Sequence, residues 1–177
     1  MNEYKDRNAQ ILKLREELDQ NRGKGVDIMT ITVSELYNMC TDADYQIDFE
    51  KYLNSSGHKK NSPEIMTQVI ESLILEFPQK PCVFTLTHYP VDRKLWQVIE
   101  NGSRIRAVLQ FMGYPRLGEP LKLSKPSTLF NLEGLTYSDL PTDLKMNFKR
   151  SRVPVILLET IELRYYYDEF YNDLYNL

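Results

Sequence analysis

At 177 residues the chain is long enough for one domain with a sizeable core, and its hydrophobic fraction of 42% and charged fraction of 27% are ordinary for a globular protein. A formal net charge of -3 excludes a protein that coats DNA by bulk electrostatics, while leaving room for a local basic face. No apolar run approaches the roughly 20 residues that cross a bilayer, and the charged start MNEYKDRNAQ has no apolar signal-peptide core, so a cytoplasmic protein without a membrane span is expected.

Asn2 to Asn21 is strongly helix-forming, with Ile11, Leu14 and Leu18 on one stripe, and Gly23 and Gly25 end it. This arm, residues 1–25, reads either as a partner-binding helix or as an amphipathic helix packed on its own domain, and the narrow stripe favours the second. The main domain is expected over residues 26–177. Met29 to Val33 reads as a short strand, and Ser34 as the N-cap of a brief helix through Leu36 and Met39. Tyr45, Ile47 and Phe49 alternate as in an extended segment. The loop that follows carries His58, Lys59 and Lys60, a cluster that suits either phosphate or plain solvent.

Ser62 and Pro63 mark a helix start, and Ile65, Met66, Val69, Ile70, Leu73, Ile74 and Phe77 recur at helical spacing behind them. Pro78 and Pro81 stop this helix. Cys82 to Tyr89 is β-branched and aromatic and reads as a strand; Leu95 to Ile99 returns as a second, antiparallel to it. Cys40 and Cys82 give neither a disulfide framework nor a CxxC pair, and with the histidines His58 and His88 they build no zinc site, so reduced and buried thiols are expected.

Asn101, Gly102 and Ser103 form the next turn, with Ser103 as N-cap of a helix that carries Ile105, Val108, Leu109 and Met112 inward. Arg104 and Arg106 fall in its first turn, where the macrodipole disfavours cations by about 0.3–1 kcal/mol each. Something anionic nearby would offset that: a phosphate held by backbone N–H groups, or the carboxylate of Glu100. Beyond Gly113 the chain is loop-rich with short extended pieces. Pro141 to Arg150 reads as a helix capped by Ser138 or Asp139, and SRVPVILLETIE as a buried strand. The end, LRYYYDEFYNDLYNL, reads as a helix with Tyr166, Phe170 and Leu174 on one face and Tyr167, Tyr171 and Tyr175 beside it, a partner surface or a buried one.

Several of these segments, in this order, resemble the N-terminal domain of GmrSD-type restriction proteins, a family with a DGQQR signature and a ParB/sulfiredoxin-like fold. TVSEL stands at the family's TxxEL, YQIDFEKY at its YQR segment, VIESLILEFP at its LIESIL helix, VIENGSRIRAVLQF at VIDGQQRLTTLxxF, and SDLPTDLKMNFKRSRVPVILLE at its late dLP element. EFYNDLYNL stands at its IFxRLN segment. The resemblance implies an α+β domain with a small mixed sheet flanked by helices, and a nucleotide's phosphates held at the turn. It places Glu100 at the signature's aspartate, Asn101 at its glycine, Gly102 and Ser103 at its two glutamines, and Arg104 at its arginine. Arg106 coincides with the second arginine of the related ParB version, GERRxRA.

The loss of both glutamines, and Ile47 in place of the YQR arginine, imply binding without efficient hydrolysis. The expected activity is therefore a degenerate nucleotide- or nucleic-acid-binding domain related to restriction and defence proteins. A rival is an active NTPase coupled to DNA restriction, using a nucleoside triphosphate with Mg²⁺ through Glu100 and Arg104. Another is a protein-interaction module, such as a phage-linked inhibitor of a defence system, binding a partner or a second copy through its terminal helices.

Overall fold

The structure, a computed structural model, describes residues 10–17, 25–41, 47–49, 62–88 and 94–159. Among them five strands form one sheet: β1 (Val26–Thr32), β2 (Ile47–Asp48), β3 (Cys82–His88), β4 (Lys94–Glu100) and β5 (Arg152–Leu158), in the order β1-β5-β3-β4-β2. The sheet is mixed: β5 is antiparallel to β1 and parallel to β3, whereas β4 is antiparallel to β3 and parallel to β2. Helices α1 (Val33–Thr41), α2 (Pro63–Ile74), α3 (Gly102–Phe111) and α4 (Thr142–Arg150) cover one face. The chain is thus an α+β protein with a mixed sheet. Among the described residues no helix is long and apolar enough to cross a membrane.

The alternation of strand side chains decides what the sheet buries. Cys82 and Phe84 of β3, Val98 of β4, and Val153, Val155 and Leu157 of β5 enter the main core with the helices. Val83, Ile156 and Leu158 form a smaller buried cluster with Ile99 beside it. The central strands are therefore apolar on both faces, which is why VPVILL is continuous rather than alternating. Ile105, Ala107, Val108, Leu109 and Phe111 are all buried, so α3 is enclosed on more than one side, while Met112 is only half-buried. Phe111 meets Tyr137 and Phe148 edge to face, at 5.7 and 5.4 Å between ring centres, which ties the end of α3 to α4.

Several boundaries differ from the sequence reading, each for a local reason. β1 begins earlier than expected, and Val33 already belongs to α1. The cap of α1 is Thr32 rather than Ser34: its hydroxyl accepts from Glu35 N at 3.1 Å while Glu35 Oε2 accepts from Thr32 N at 2.7 Å, a reciprocal capping box. Likewise Asp139 and Ser138 do not cap α4. Asp139 closes a capping box with Thr136 around the 3₁₀ turn Tyr137–Asp139, and Pro141 precedes α4 instead. Ser62 does cap α2, accepting from Ile65 N at 3.4 Å, but Ile65 and Phe77 lie exposed, outside the buried stripe of Met66, Ile70 and Leu73.

Residues 10–17 are helical and every one is exposed, Ile11, Leu12 and Leu14 included. For this part of the arm, the expected packing on its own domain is not found. A few aliphatic side chains among charges offer too little area to hold a helix down. Gly25 takes a φ of 83°, a left-handed value that favours glycine. His58, Lys59, Lys60 and the terminal tyrosines lie outside the described residues.

The connection between α3 and α4 contains no described strand, in keeping with the loop-rich stretch expected. It holds its shape through 3₁₀ turns at Pro115–Leu117, Phe130–Leu132 and Tyr137–Asp139. Buried Leu121, Leu123, Leu132 and Leu140 anchor it to the core. Paired backbone bonds between Leu123 and Leu135 and between Gly134 and Leu123, at 2.9 and 2.8 Å, close its middle.

Candidate functional site

The stretch that the sequence singles out is the passage from β4 into α3. β4 ends at Glu100, Asn101 adopts a left-handed conformation with φ 55° and ψ 23°, and the helix starts at once with a buried Gly102. Ser103 is therefore not the N-cap; it already sits in the first turn, and Asn101 occupies the cap position without a capping bond from its side chain. Asparagine is among the few side chains that enter this backbone region at small cost. Its amide turns away from the helix and Nδ2 donates to Pro81 O at 2.7 Å.

That bond is one of several stitches between the turn and the chain entering β3. The Asn101 carbonyl accepts from Arg104 N at 3.0 Å and from the Cys82 thiol at 3.8 Å. The Arg104 guanidinium donates through Nη1 to Lys80 O. The register explains the proximity: β3 and β4 are antiparallel, Val83 lies opposite Glu100, and a bulge follows at Val83/Phe84. Burial pushes the Cys82 thiol up to about 12, against the opposing pull of the Arg104 charge. Cys40 is raised as well, by burial first and by Cys82 second. Both cysteines are free and buried, and such thiols are poor nucleophiles.

The sequence-predicted residues therefore divide into two groups. Asn101 and Arg104 are joined to backbone carbonyls of residues 80–81. Ser103 and Arg106 are half-buried and, three apart, lie one above the other on the same side of α3. Arg104 and Arg106 do not share a face, because two helical steps of about 100° separate them by about 200°. A ligand at the helix start would meet the first-turn N–H groups, the Ser103 hydroxyl and the Arg106 guanidinium, with half-buried Glu100 one residue before the turn. That set suits a phosphate: donors and positive charge at the positive end of a helix dipole. It offers no pair of carboxylates for a metal, and among the described residues no three His, Cys, Asp or Glu side chains gather as a metal-binding cluster.

Ile47 is 1% exposed and pairs with Trp96 across the parallel β2–β4 contact. It fills the core.

A second polar constellation escaped the sequence reading. Glu71 projects from the inward side of α2, is only 2% exposed, and receives four donors. Ser127 N and Oγ donate to Oε2 at 2.9 and 2.7 Å, and Thr128 N and Leu129 N to Oε1 at 2.6 and 2.5 Å. Burial alone would raise this carboxyl; the donors from Leu129, Ser127 and Thr128 outweigh it and hold the group at about 2. One turn earlier, Thr67 Oγ1 accepts from Ser124 N at 2.8 Å and donates to Pro63 O at 2.8 Å. The signal was present as Thr67 and Glu71, four apart, interrupting an apolar stripe. Its meaning depended on partners more than fifty residues away.

Compared with known proteins, the chain matches no family model, no curated protein and no solved structure.

Proposed function

We propose that this chain is a nucleotide- or nucleic-acid-binding module of the ParB/sulfiredoxin-like type, related to the restriction and defence proteins it resembles, in which the start of α3 meets a phosphate. The observation that carries this reading is the passage of β4 through a left-handed Asn101 directly into a helix beginning with Gly102, whose first turns bear half-buried Ser103 and Arg106 on one side. In this reading Asn101 and Arg104 are positioning residues that fix the turn against residues 80–81, and Ser103, Arg106 and backbone N–H groups touch the ligand. Hydrolysis is not part of it. A nucleoside triphosphate with Mg²⁺ would find a single acidic side chain at the turn, Glu100, and no glutamine pair to place a water.

A thermal-shift panel of nucleoside triphosphates, with and without Mg²⁺, and of short DNA duplexes and single strands tests the proposal. A ligand at a hundredfold excess over its Kd adds about 2.7 kcal/mol of stability and raises the melting temperature visibly. Arg106→Ala and Ser103→Ala should each abolish most of that rise. A wild type indifferent to every ligand would end the phosphate reading, and phosphate release abolished by Glu100→Gln would replace it with an active NTPase.

A protein-interaction module is the second reading, favoured by one observation: the exposed Ile11, Leu12 and Leu14 on the helical stretch 10–17. Light scattering of the wild type and of Ile11→Glu with Leu14→Glu decides it. An assembly lost in the variant supports this reading; a monomer in both cases removes it.

A further inference from the structure

Both ends of the β1–β5 ladder show which way the β1 backbone points. Glu159 N donates to Gly25 O at 2.7 Å, and Val33 N donates to Ser151 O at 2.9 Å. Gly25 and Val33 therefore turn their N–H and C=O groups toward β5, and so, by alternation, do Asp27, Met29 and Ile31. Val26, Ile28, Thr30 and Thr32 direct theirs away from the sheet, along the open side of an edge strand. Of these four N–H groups the fold satisfies that of Thr32, which donates to Glu35 Oε2 at 2.7 Å. No described residue bonds the outward groups of Val26, Ile28 and Thr30.

Edge strands of globular proteins are ordinarily blunted by shortness, lysine, proline or a bulge. β2, at the other edge, is protected by its length of two residues. β1 has none of these devices. Its sequence VDIMTIT spans seven residues, holds no lysine or proline, and pairs with β5 without a register shift. Met29 and Ile31 lean on the main core, whereas Val26, Ile28 and Thr30 stand on the other face, opposite Leu158, Ile156 and Pro154. Ile28 leaves 73% of its surface in water, and no residue of β1 is buried.

We infer that β1 pairs antiparallel with β1 of a second copy, about a two-fold axis through Ile28, so that the two sheets become one. The free groups select this occupant and its register. With Ile28 opposite the second copy's Ile28, Val26 falls opposite Thr30 and Thr30 opposite Val26, and every free N–H meets a free C=O. An axis at Met29 would set Val26 opposite Thr32, whose N–H is already taken by Glu35. An axis at Asp27 would set two like charges side by side. At Ile28 that charge, the only one in the strand, lies opposite Met29 instead. The outer row then joins Ile28 to Ile28 and Val26 to Thr30, β-branched pairs that suit adjacent strands and cover the exposed apolar surface. A contact of this size is small, so the dimer is a concentration-dependent one.

Sedimentation equilibrium of the full chain over a dilution series tests this. The wild type should pass from monomer to dimer as concentration rises. Ile28→Lys and Ile28→Glu place like charges at the axis, and each should weaken association at least tenfold. Both alter an exposed residue, so their melting curves at monomeric dilution should match the wild type. Mixing the two variants in equal amounts should restore the dimer, since unlike charges then meet. Ile28→Cys should form a cross-linked dimer under mild oxidation, because Cα atoms of a hydrogen-bonded pair lie about 5.5 Å apart, within disulfide reach. Thr30→Cys should not, and the native Cys40 and Cys82 are buried and do not compete. Ile11→Glu with Leu14→Glu should leave the dimer intact, which separates this interface from one formed by the helical stretch 10–17. A wild type monomeric throughout would leave the edge to a foreign strand and overturn the inference. So would a dimer indifferent to both charge variants, a mixture no more dimeric than its components, or Thr30→Cys cross-linking as readily as Ile28→Cys.

Discussion

Glu71 and the β4–α3 turn are two polar constellations that differ in how far the fold uses their hydrogen-bonding capacity. The Glu71 carboxylate is surrounded: both oxygens are occupied by donors from Ser127, Thr128 and Leu129, and almost none of the residue reaches water. At the turn, Asn101 and Arg104 are joined to carbonyls of residues 80–81, while Ser103 and Arg106 remain half-open on another side of the helix. A polar group whose every valence is consumed by the protein is architecture. One that retains capacity at a helix start can still act on a ligand. The binding chemistry proposed for the turn would therefore fall to the less constrained pair.

The comparison can be broken first at Glu71. Glu71→Ala leaves three part-buried backbone N–H groups without their acceptor and should cost about 3–5 kcal/mol, read by chemical denaturation. The same carboxyl makes stability pH-dependent. Its folded value of about 2 lies below the ordinary 4.5, so its contribution is complete above pH 4.5 and disappears as pH falls toward 2. Glu71→Gln, which no longer titrates, should flatten the acid limb of a stability–pH curve. An unchanged limb would show that the carboxylate is not held as described.

Asn101→Ala comes next, at about 1–2 kcal/mol, because it removes the bond to Pro81 O and puts a less tolerant residue in the left-handed region. Arg104→Ala should cost about 1 kcal/mol through the lost bond to Lys80 O. It should weaken any phosphate ligand only as far as the helix start loosens. Smallest of all is Arg106→Ala: stability should stay within about 0.5 kcal/mol while phosphate binding falls most. If Arg104 proved the stronger binding determinant and Arg106 the stronger stability determinant in the same melts, the division proposed for the turn would be reversed.

What was legible in the sequence was local. Ser62 and Pro63 announced α2 because a cap and an N1 proline act within one turn, and Ile105, Val108 and Leu109 announced the buried side of α3 by spacing alone. The strands at Cys82–His88 and Lys94–Glu100, and their antiparallel pairing, were equally readable. T-V-S-E spells a capping box, so the cap at Thr32 is local information even though Ser34 is the cap expected. Glu71, Asn101 and Arg104 were illegible for a different reason: their partners are nineteen or more residues away and appear only once the sheet and loop are assembled.

There is a further lesson in which residues these are. Thr32 with Glu35 lies in TVSEL, Glu71 in VIESLILEFP, and Asn101 with Arg104 in VIENGSR, the segments that carry the family resemblance. In this chain each of them secures a helix end or a connection.

The bond set around Glu71 also has a kinetic meaning. Residues 127–129 belong to no helix or strand except a 3₁₀ turn that begins just beyond them, and Ser127 and Thr128 lie on the surface. Amides in such a place ordinarily exchange with solvent water in a fast local opening. Here the three amides and α2 share one acceptor, so releasing any of them to solvent requires withdrawing donors from a buried charge. Their hydrogen exchange should follow the opening of α2 itself, making an irregular loop and the central helix a single cooperative unit.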